Sequence, residues 1–319
     1  MSDYLQLQQL SDSLEGTLFY DELHKKIYAT DASAYRIMPE AVAIPKSEED
    51  IVKIIRFAEK NKISITPRTA GTSLAGQTVG DGIIVDVSKH FTKIVAFDRE
   101  KKTITVQPGV IRDELNLYLK PHGLFFSPTT STTSRCMIGG MVGNNSSGTT
   151  SIRYGVTRDK IVEIKAVLSD GSFAVFKEMS SQEFIEKTKG ETLENKIYKA
   201  IYEELSNKEN QEEILKEFPK PEIHRRNTGY AIDALLKSEL FSGTENTINV
   251  GKLLCGSEGT LAFTTEITLK VDDLPPVNNI MVVAHFHTIQ ESLEAVVTAM
   301  KHHLYTCEMM DDTILVHPQ

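Results

Sequence analysis

The chain runs to 319 residues and carries a net charge of −9. That length allows two domains, or one large domain and part of a second. The acidic balance disfavours a general nucleic-acid binder, whose surface must neutralise phosphates, and leaves open a single nucleotide held by local loops. The cysteines Cys136, Cys255 and Cys307 lie far apart and contain no CxxC pair. They offer no disulfide framework, zinc ribbon or iron–sulfur ligation within this chain, and a reducing, cytoplasmic setting is expected. Residues 1–16 have neither a basic start nor a long apolar core, so no leader is expected. No run is long enough to span a bilayer.

Residues 1–37 stand apart as an N-terminal segment. From there "AIPKSEEDIVKIIRFAEKNKISITPR" reads as strand, helix, strand. Ser47 is a good N-cap, Asp50 three residues on resembles the second half of a capping box, and Ile51, Ile54, Ile55 and Ala58 mark one helical face. "ISIT" reads as a short buried strand and "GIIVDVS" (82–88) as a second. "KIVAFDREKKTITVQPG" reads as a hairpin turning at "DREKK", and "IRDELNLYLKPHG" as a short helix closed by Pro121 and Gly123. Residues 160–177 form a second hairpin around Ser169-Asp170-Gly171. A charged helical stretch covers about 181–218. "GSEGTLAFTTEITLKV" (256–271) is a Gly-rich turn feeding a long strand, and "DDLPP" (272–276) reads as a linker. Beyond it, "NIMVVAHFH" reads as a strand and "IQESLEAVVTAMKHH" as a helix.

Two small-residue loops follow apolar runs or open helices: "PRTAGTSLAGQ" (67–77) and "IGGMVGNNSSGTTS" (138–151). Small side chains let backbone N–H groups converge on an anion. One such loop is a weak signal; two at element boundaries can grip the two phosphates of a dinucleotide. The signatures of other nucleotide sites and of hydrolytic sites are missing. There is no GxGxxG after a strand, no Walker loop, no GxSxG and no HExxH.

"PRTAGTSLAGQ", "IGGMVGNNSSG", "RYG", "LSDGS" and "GSEGTLAFTTEITLK" come in an order and spacing that resembles the vanillyl-alcohol-oxidase/PCMH-type FAD-binding family. Within it the chain resembles the branch of D-lactate dehydrogenase, the glycolate oxidase FAD subunit and D-2-hydroxyglutarate dehydrogenase; "HRRNTGYAIDALL" (224–236) resembles a further segment of that branch. The resemblance covers roughly residues 38–272. It implies an α+β fold: a PCMH-type FAD-binding domain of two α/β subdomains, about 38–110 and 111–272, and then, at 273–319, the start of an α+β substrate or cap domain.

The resemblance also implies site residues. The first loop wraps the pyrophosphate with Arg68, Thr69, Ala70, Gly71, Thr72 and Ser73, with Gln77 nearby. The second contributes Ile138, Gly139, Gly140, Asn144 and Gly148, with Pro128 and Thr129 upstream; Gly139 and Gly140 allow close approach, and Asn144 offers an amide to the flavin edge. The "GSEG" turn brings Glu258 and Gly259 beside FAD, Glu258 either binding backbone or touching flavin. Relatives that attach FAD covalently use a histidine where Thr72 stands here, so non-covalent FAD is expected. Asn227 and Tyr230 are candidates for the substrate side. Arg225 and Arg226 either attract a carboxylate or lie at the surface. His285 and His287 share a strand face but are too few for a metal site, and no metal is expected.

The implied activity is FAD-dependent dehydrogenation of a small D-2-hydroxy acid of the lactate, glycolate or 2-hydroxyglutarate type, by hydride transfer to flavin. The family places much of its proton-transfer machinery in the cap, so no catalytic base is nominated. The chain reads as an N-terminal fragment, with further cap and an iron–sulfur module possible beyond it and the electron acceptor open. A flavin-binding electron-transfer module or subunit without catalysis of its own, a nucleotide-binding scaffold, and the enolpyruvyl reductase that shares the fold are the competing readings.

Overall fold

The computed structural model describes residues 4–220, 223, 225–226 and 229–316. Its first layer is built on α1 (Tyr4–Ser13), β1 (Thr17–Phe19), α2 (Glu22–Tyr28), β2 (Ala41–Ile44), α3 (Glu48–Asn61), β3 (Ile65–Arg68) and β4 (Ile83–Asp86). The sheet order is β1-β2-β4-β3, with β2 and β3 parallel to β4 and β1 antiparallel to β2. All four residues of β4 are buried, as the β-branched run "IIV" requires of a central parallel strand. β3 is only half-buried along its whole length, because it is the sheet edge rather than the interior strand that "ISIT" predicts.

Ser47 caps α3 by accepting the Asp50 N–H at 3.3 Å, and Lys62 ends the helix in the left-handed conformation. The carboxylate of Asp50 does not complete a capping box. It is fully buried and instead accepts the N–H groups of Glu15, Gly16 and Lys46, each at 2.9 Å. The N-terminal segment is thereby fastened to α3, and Leu7, Leu10 and Leu18 join the core of this layer.

The second layer is a six-stranded antiparallel sheet. Its elements in chain order are β5 (Ile94–Asp98), β6 (Thr103–Val106), α4 (Arg112–Leu119), β7 (Leu124–Phe125), α5 (Ile138–Asn144), α6 (Ser151–Tyr154), β8 (Ile161–Val167), β9 (Phe173–Ser180), α7 (Ser181–Lys187), α8 (Leu193–Ser206), α9 (Lys208–Glu217), β10 (Thr247–Asn249), α10 (Gly251–Leu254) and β11 (Phe263–Lys270). The strand order is β10-β9-β8-β11-β6-β5. The β5–β6 hairpin, which the sequence groups with the first subdomain, pairs with β11 and belongs to this sheet. Alternating burial along β11 marks one core face. The charged helical stretch after β9 divides into three helices, each N-capped by a side chain: Ser180, Thr192 and Asn207.

Val167 and Phe263 enter the first layer's core, and Lys165 on β8 pairs with Glu48 on α3 at 2.9 Å, so the two layers meet along β8 and β11. The linker begins later than "DDLPP" predicts. β12 (Asp272–Asp273) pairs with β7, and Asp272 holds Lys160 at 2.7 Å. After it, residues 279–287 form no strand: they are exposed, and no strand among the described residues pairs with them to take their backbone groups. α11 (Ile289–Ala299) follows, its cap Thr288 accepting the Glu291 N–H, and then α12 (Asp312–Val316). Tyr305 returns to the main body, lying under the Arg153 guanidinium at 5.5 Å.

Candidate functional site

The first loop leaves the end of β3, where Arg68 sits opposite Asp86 of β4. From Thr69 to Leu74, none of the backbone N–H groups donates to an acceptor among the described residues. Gly71 has φ +65° and Gly76 φ +78°, a conformation that turns successive N–H groups toward one side at no steric cost. Arg68 is not a free phosphate ligand. Its guanidinium donates to the carbonyls of Tyr28 at 3.3 Å and Thr78 at 3.4 Å and lies over the Tyr28 ring. It staples the two ends of the loop, and the backbone is left to meet the anion. Ser73 hydrogen-bonds Gln77, and Gln77 donates to Glu258 at 3.2 Å, linking this loop to the "GSEG" turn.

The second loop divides its predicted residues into two kinds. The Ile138 side chain is fully buried in the core and its N–H donates to Val110, so neither group is available to a ligand. Gly139 donates to Pro108, and a Cβ there would come 2.4 Å from the Pro108 ring; this glycine serves packing, not cofactor approach. Gly140 is different. It is exposed, its N–H has no acceptor among the described residues, and a Cβ would sit 2.7 Å from Thr69 Oγ1 of the first loop. Asn144 is exposed and reaches only Ser146, at 3.1 Å. Pro128 is buried with its carbonyl held by Arg112 at 3.1 Å, and Gly148 packs on Thr129, where a Cβ would meet the backbone at 2.5 Å.

The "GSEG" turn closes the third side. Glu258 has φ +55° and donates its N–H to Gly143 at 2.9 Å, and Gly256 donates to Val142. Glu258 therefore uses its backbone to fix the turn on α5 and its carboxylate to hold Gln77. Gly259 abuts Pro67. Tyr230 is half-exposed, with its hydroxyl 2.7 Å from Thr260 Oγ1. Asn227 lies outside the described residues. Arg225 is exposed and donates to Ser147 at 3.1 Å, whereas Arg226 is an interior ion pair with Asp233. His285 and His287 are both exposed, and no three potential metal-ligating side chains gather among the described residues.

Residues that sequence reasoning missed lie behind these loops. Asn145, next to Asn144, is fully buried in the left-handed conformation; it accepts the Arg158 N–H at 2.9 Å and donates to the Arg226 carbonyl. Arg158 donates to the Cys255 carbonyl at 2.7 Å, and burial lowers its pKa. Burial pushes the Cys255 thiol up to about 12, which keeps it inert. The adjacent asparagines carry no sequence signal that separates them.

The residues fit a dinucleotide. A row of uncommitted N–H groups suits a pyrophosphate, and Gly140 leaves open the space that a side chain would fill. The comparisons agree. The family described as "FAD binding domain" matches residues 39–176. The chain is 37% identical over 256 residues to a D-2-hydroxyglutarate dehydrogenase of Pantoea ananatis, covering 79% of this chain and 24% of that protein. It is 32% identical to the Haemophilus influenzae protein of the same name, covering 98% of this chain and 30% of that one. A yeast protein named D-lactate dehydrogenase [cytochrome] 1, mitochondrial, is 28% identical over 87% of this chain and 37% of its own length. The chain thus spans about a quarter to two fifths of the length of the curated relatives it matches. Among solved structures, alkyldihydroxyacetonephosphate synthase aligns with TM-score 0.57 at 18% identity, over 86% of this chain and 42% of that one, a likeness of fold.

Proposed function

We propose that the chain, whose residues 39–176 match the FAD binding domain family, is the flavin-holding part of an FAD-dependent dehydrogenase of D-2-hydroxy acids. What carries the reading is the row of free N–H groups from Thr69 to Leu74 in a chain whose relatives are named for D-2-hydroxyglutarate and D-lactate. Bound flavin supplies a two-electron acceptor for the hydride on the hydroxyl-bearing carbon. The chain's own groups hold and orient. Thr69 to Leu74 and the Gly140 N–H bind the pyrophosphate, while Glu258, through Gln77 and Gly143, keeps the two loops in register. Arg225, exposed and donating to Ser147, is the cation of this reading that would receive a substrate carboxylate. FAD is held without a covalent bond, since Thr72 offers no nucleophilic ring nitrogen.

Acid precipitation of the yellow protein releases the colour to the supernatant; colour kept in the pellet refutes non-covalent binding. Anaerobic addition of D-2-hydroxyglutarate, D-lactate and glycolate to the longest natural form of the protein bleaches the flavin with at least one of them, and with the L-enantiomers far less. A second reading, an electron-transfer module, is favoured by the exposure of Val277, Ile280 and Met281, which leaves that segment covering nothing. A bound flavin that no hydroxy acid bleaches decides for it.

A further inference from the structure

Residues 28–35 lie outside the matched domain, yet they touch the first loop at its start, middle and end. The Tyr28 carbonyl takes the Arg68 guanidinium at 3.3 Å, and the Tyr28 hydroxyl donates to Asp86 at 2.6 Å, directly across from Arg68 in the sheet. The Ala32 N–H donates to the Gly71 carbonyl at 3.1 Å. The Tyr35 ring covers Gly76, where a Cβ would come within 2.6 Å of it. Thr78 Oγ1 donates to Asp31 Oδ2 at 2.9 Å. The segment is itself held rigid: Asp31 Oδ1 accepts the Ser33 N–H at 2.8 Å, Thr30 bridges Arg36, and Ile37 donates to Ala29.

The contact at Gly71 decides a direction. In a trans peptide the C=O of one residue and the N–H of the next point oppositely. With the Gly71 carbonyl fixed toward residue 32, the Thr72 N–H must face away from it, free to meet a ligand on the other side of the loop. Releasing that carbonyl frees the peptide plane to rotate, and the anion loses a prepaid donor.

We infer that residues 28–35 act as a strap that sets the conformation of the 68–78 loop, with Asp31 as its positioning residue, and thereby set the affinity for the pyrophosphate of FAD. The inference rests on the functional reading above. It assigns the strap no contact with FAD; its role is exerted through Gly71, Gly76 and Thr78.

The test uses the full chain, stripped of flavin, with Asp31→Ala, Asp31→Asn and Ala32→Pro. Asparagine keeps its amide oxygen for the Ser33 N–H and turns its NH2 to donate to the Thr78 hydroxyl, which rotates to accept; proline removes the donor to Gly71. Two readouts are taken beside far-UV circular dichroism. Trypsin cleavage at Arg68–Thr69 reports loop order without any cofactor. Titration with FAD, ADP and riboflavin reports binding, only the first two carrying the pyrophosphate. Asp31→Ala and Ala32→Pro should cleave faster at Arg68 and bind FAD and ADP about tenfold or more weaker, with riboflavin unchanged, while Asp31→Asn stays near the parent protein. Unchanged cleavage and FAD affinity in both disruptive variants overturns the strap. So does an equal loss in Asp31→Asn, or a riboflavin loss matching that of FAD. If the parent chain binds no FAD or ADP, the functional reading falls with the strap's effect on affinity, and the cleavage pattern still shows whether the strap orders the loop.

Discussion

At the scale of single residues, one position separates cofactor space from packing. Gly139 and Gly140 are adjacent and identical in sequence, but Gly139 is filled by Pro108 while Gly140 faces Thr69 across the loop junction. Gly140→Val should therefore weaken FAD binding at least about tenfold with little loss of secondary structure. The added branch pushes Thr69 aside and occupies the opening; the φ of Gly140 is not in the left-handed region, so space and not strain is the cause. Gly171→Ala is the contrasting control. At φ +78°, beside Arg56, it is strained and should cost about 1–2 kcal/mol of stability, yet leave flavin absorbance intact. Unchanged FAD affinity in Gly140→Val removes "IGGMVGNN" from the site. Asp50→Ala tests a different kind of residue. It leaves three backbone N–H groups of Glu15, Gly16 and Lys46 without their acceptor, and should destabilise by about 3 kcal/mol or more. Urea denaturation measures it, with Asp50→Asn intermediate.

At the scale of elements, local pattern was a good guide wherever an element satisfies its own backbone. α3, both hairpins, α4 with the tighter turn Lys120–His122 that follows it and ends at a left-handed Gly123, and the Ser47 cap are all present. Patterns failed where a partner decides. "NIMVVAHFH" has the composition of a strand, but a strand needs a neighbour for its N–H and C=O groups, and none of the described residues supplies one. The strap adds a pH dependence. Burial pushes the Asp31 carboxyl up, but hydrogen bonds from Ser33 and Thr78 outweigh it and leave the group below the ordinary carboxylate range. A carboxylate depressed in the folded state contributes fully at neutral pH and loses its contribution as pH falls through about 4 and below. Acid release of FAD, followed by flavin fluorescence, should begin at higher pH in the parent than in Asp31→Asn, which has nothing to titrate at that position; identical profiles would refute the assignment.

At the scale of the whole molecule, two sheets share a core through Val167 and Phe263, and their loops meet where Gln77 holds Glu258 and Gly140 faces Thr69. A segment that covers nothing follows: Val277, Ile280, Met281, Val282 and Val283 are all more than half exposed. Such a contiguous apolar stretch invites association. Ile280→Lys with Val282→Lys should lower the binding of an apolar dye and reduce concentration-dependent association in light scattering, with FAD affinity unchanged.

The sequence by itself pointed to an FAD-binding domain, which residues 39–176 match, through five separated motifs, and determined most helices and hairpins, because caps, turns and apolar periodicity act within a few residues. It also located the two small-residue loops. Which of their residues meet a ligand was decided only in the tertiary structure. Arg68 became a staple because Tyr28 and Thr78 stand within its reach, Ile138 and Gly139 turned inward because the helix they open packs on Val110 and Pro108, and Asn145 rather than Asn144 was buried by its left-handed cap. The strap was invisible for the same reason: its contacts join residues some forty positions apart, and no local pattern records which backbone carbonyl a distant N–H will hold.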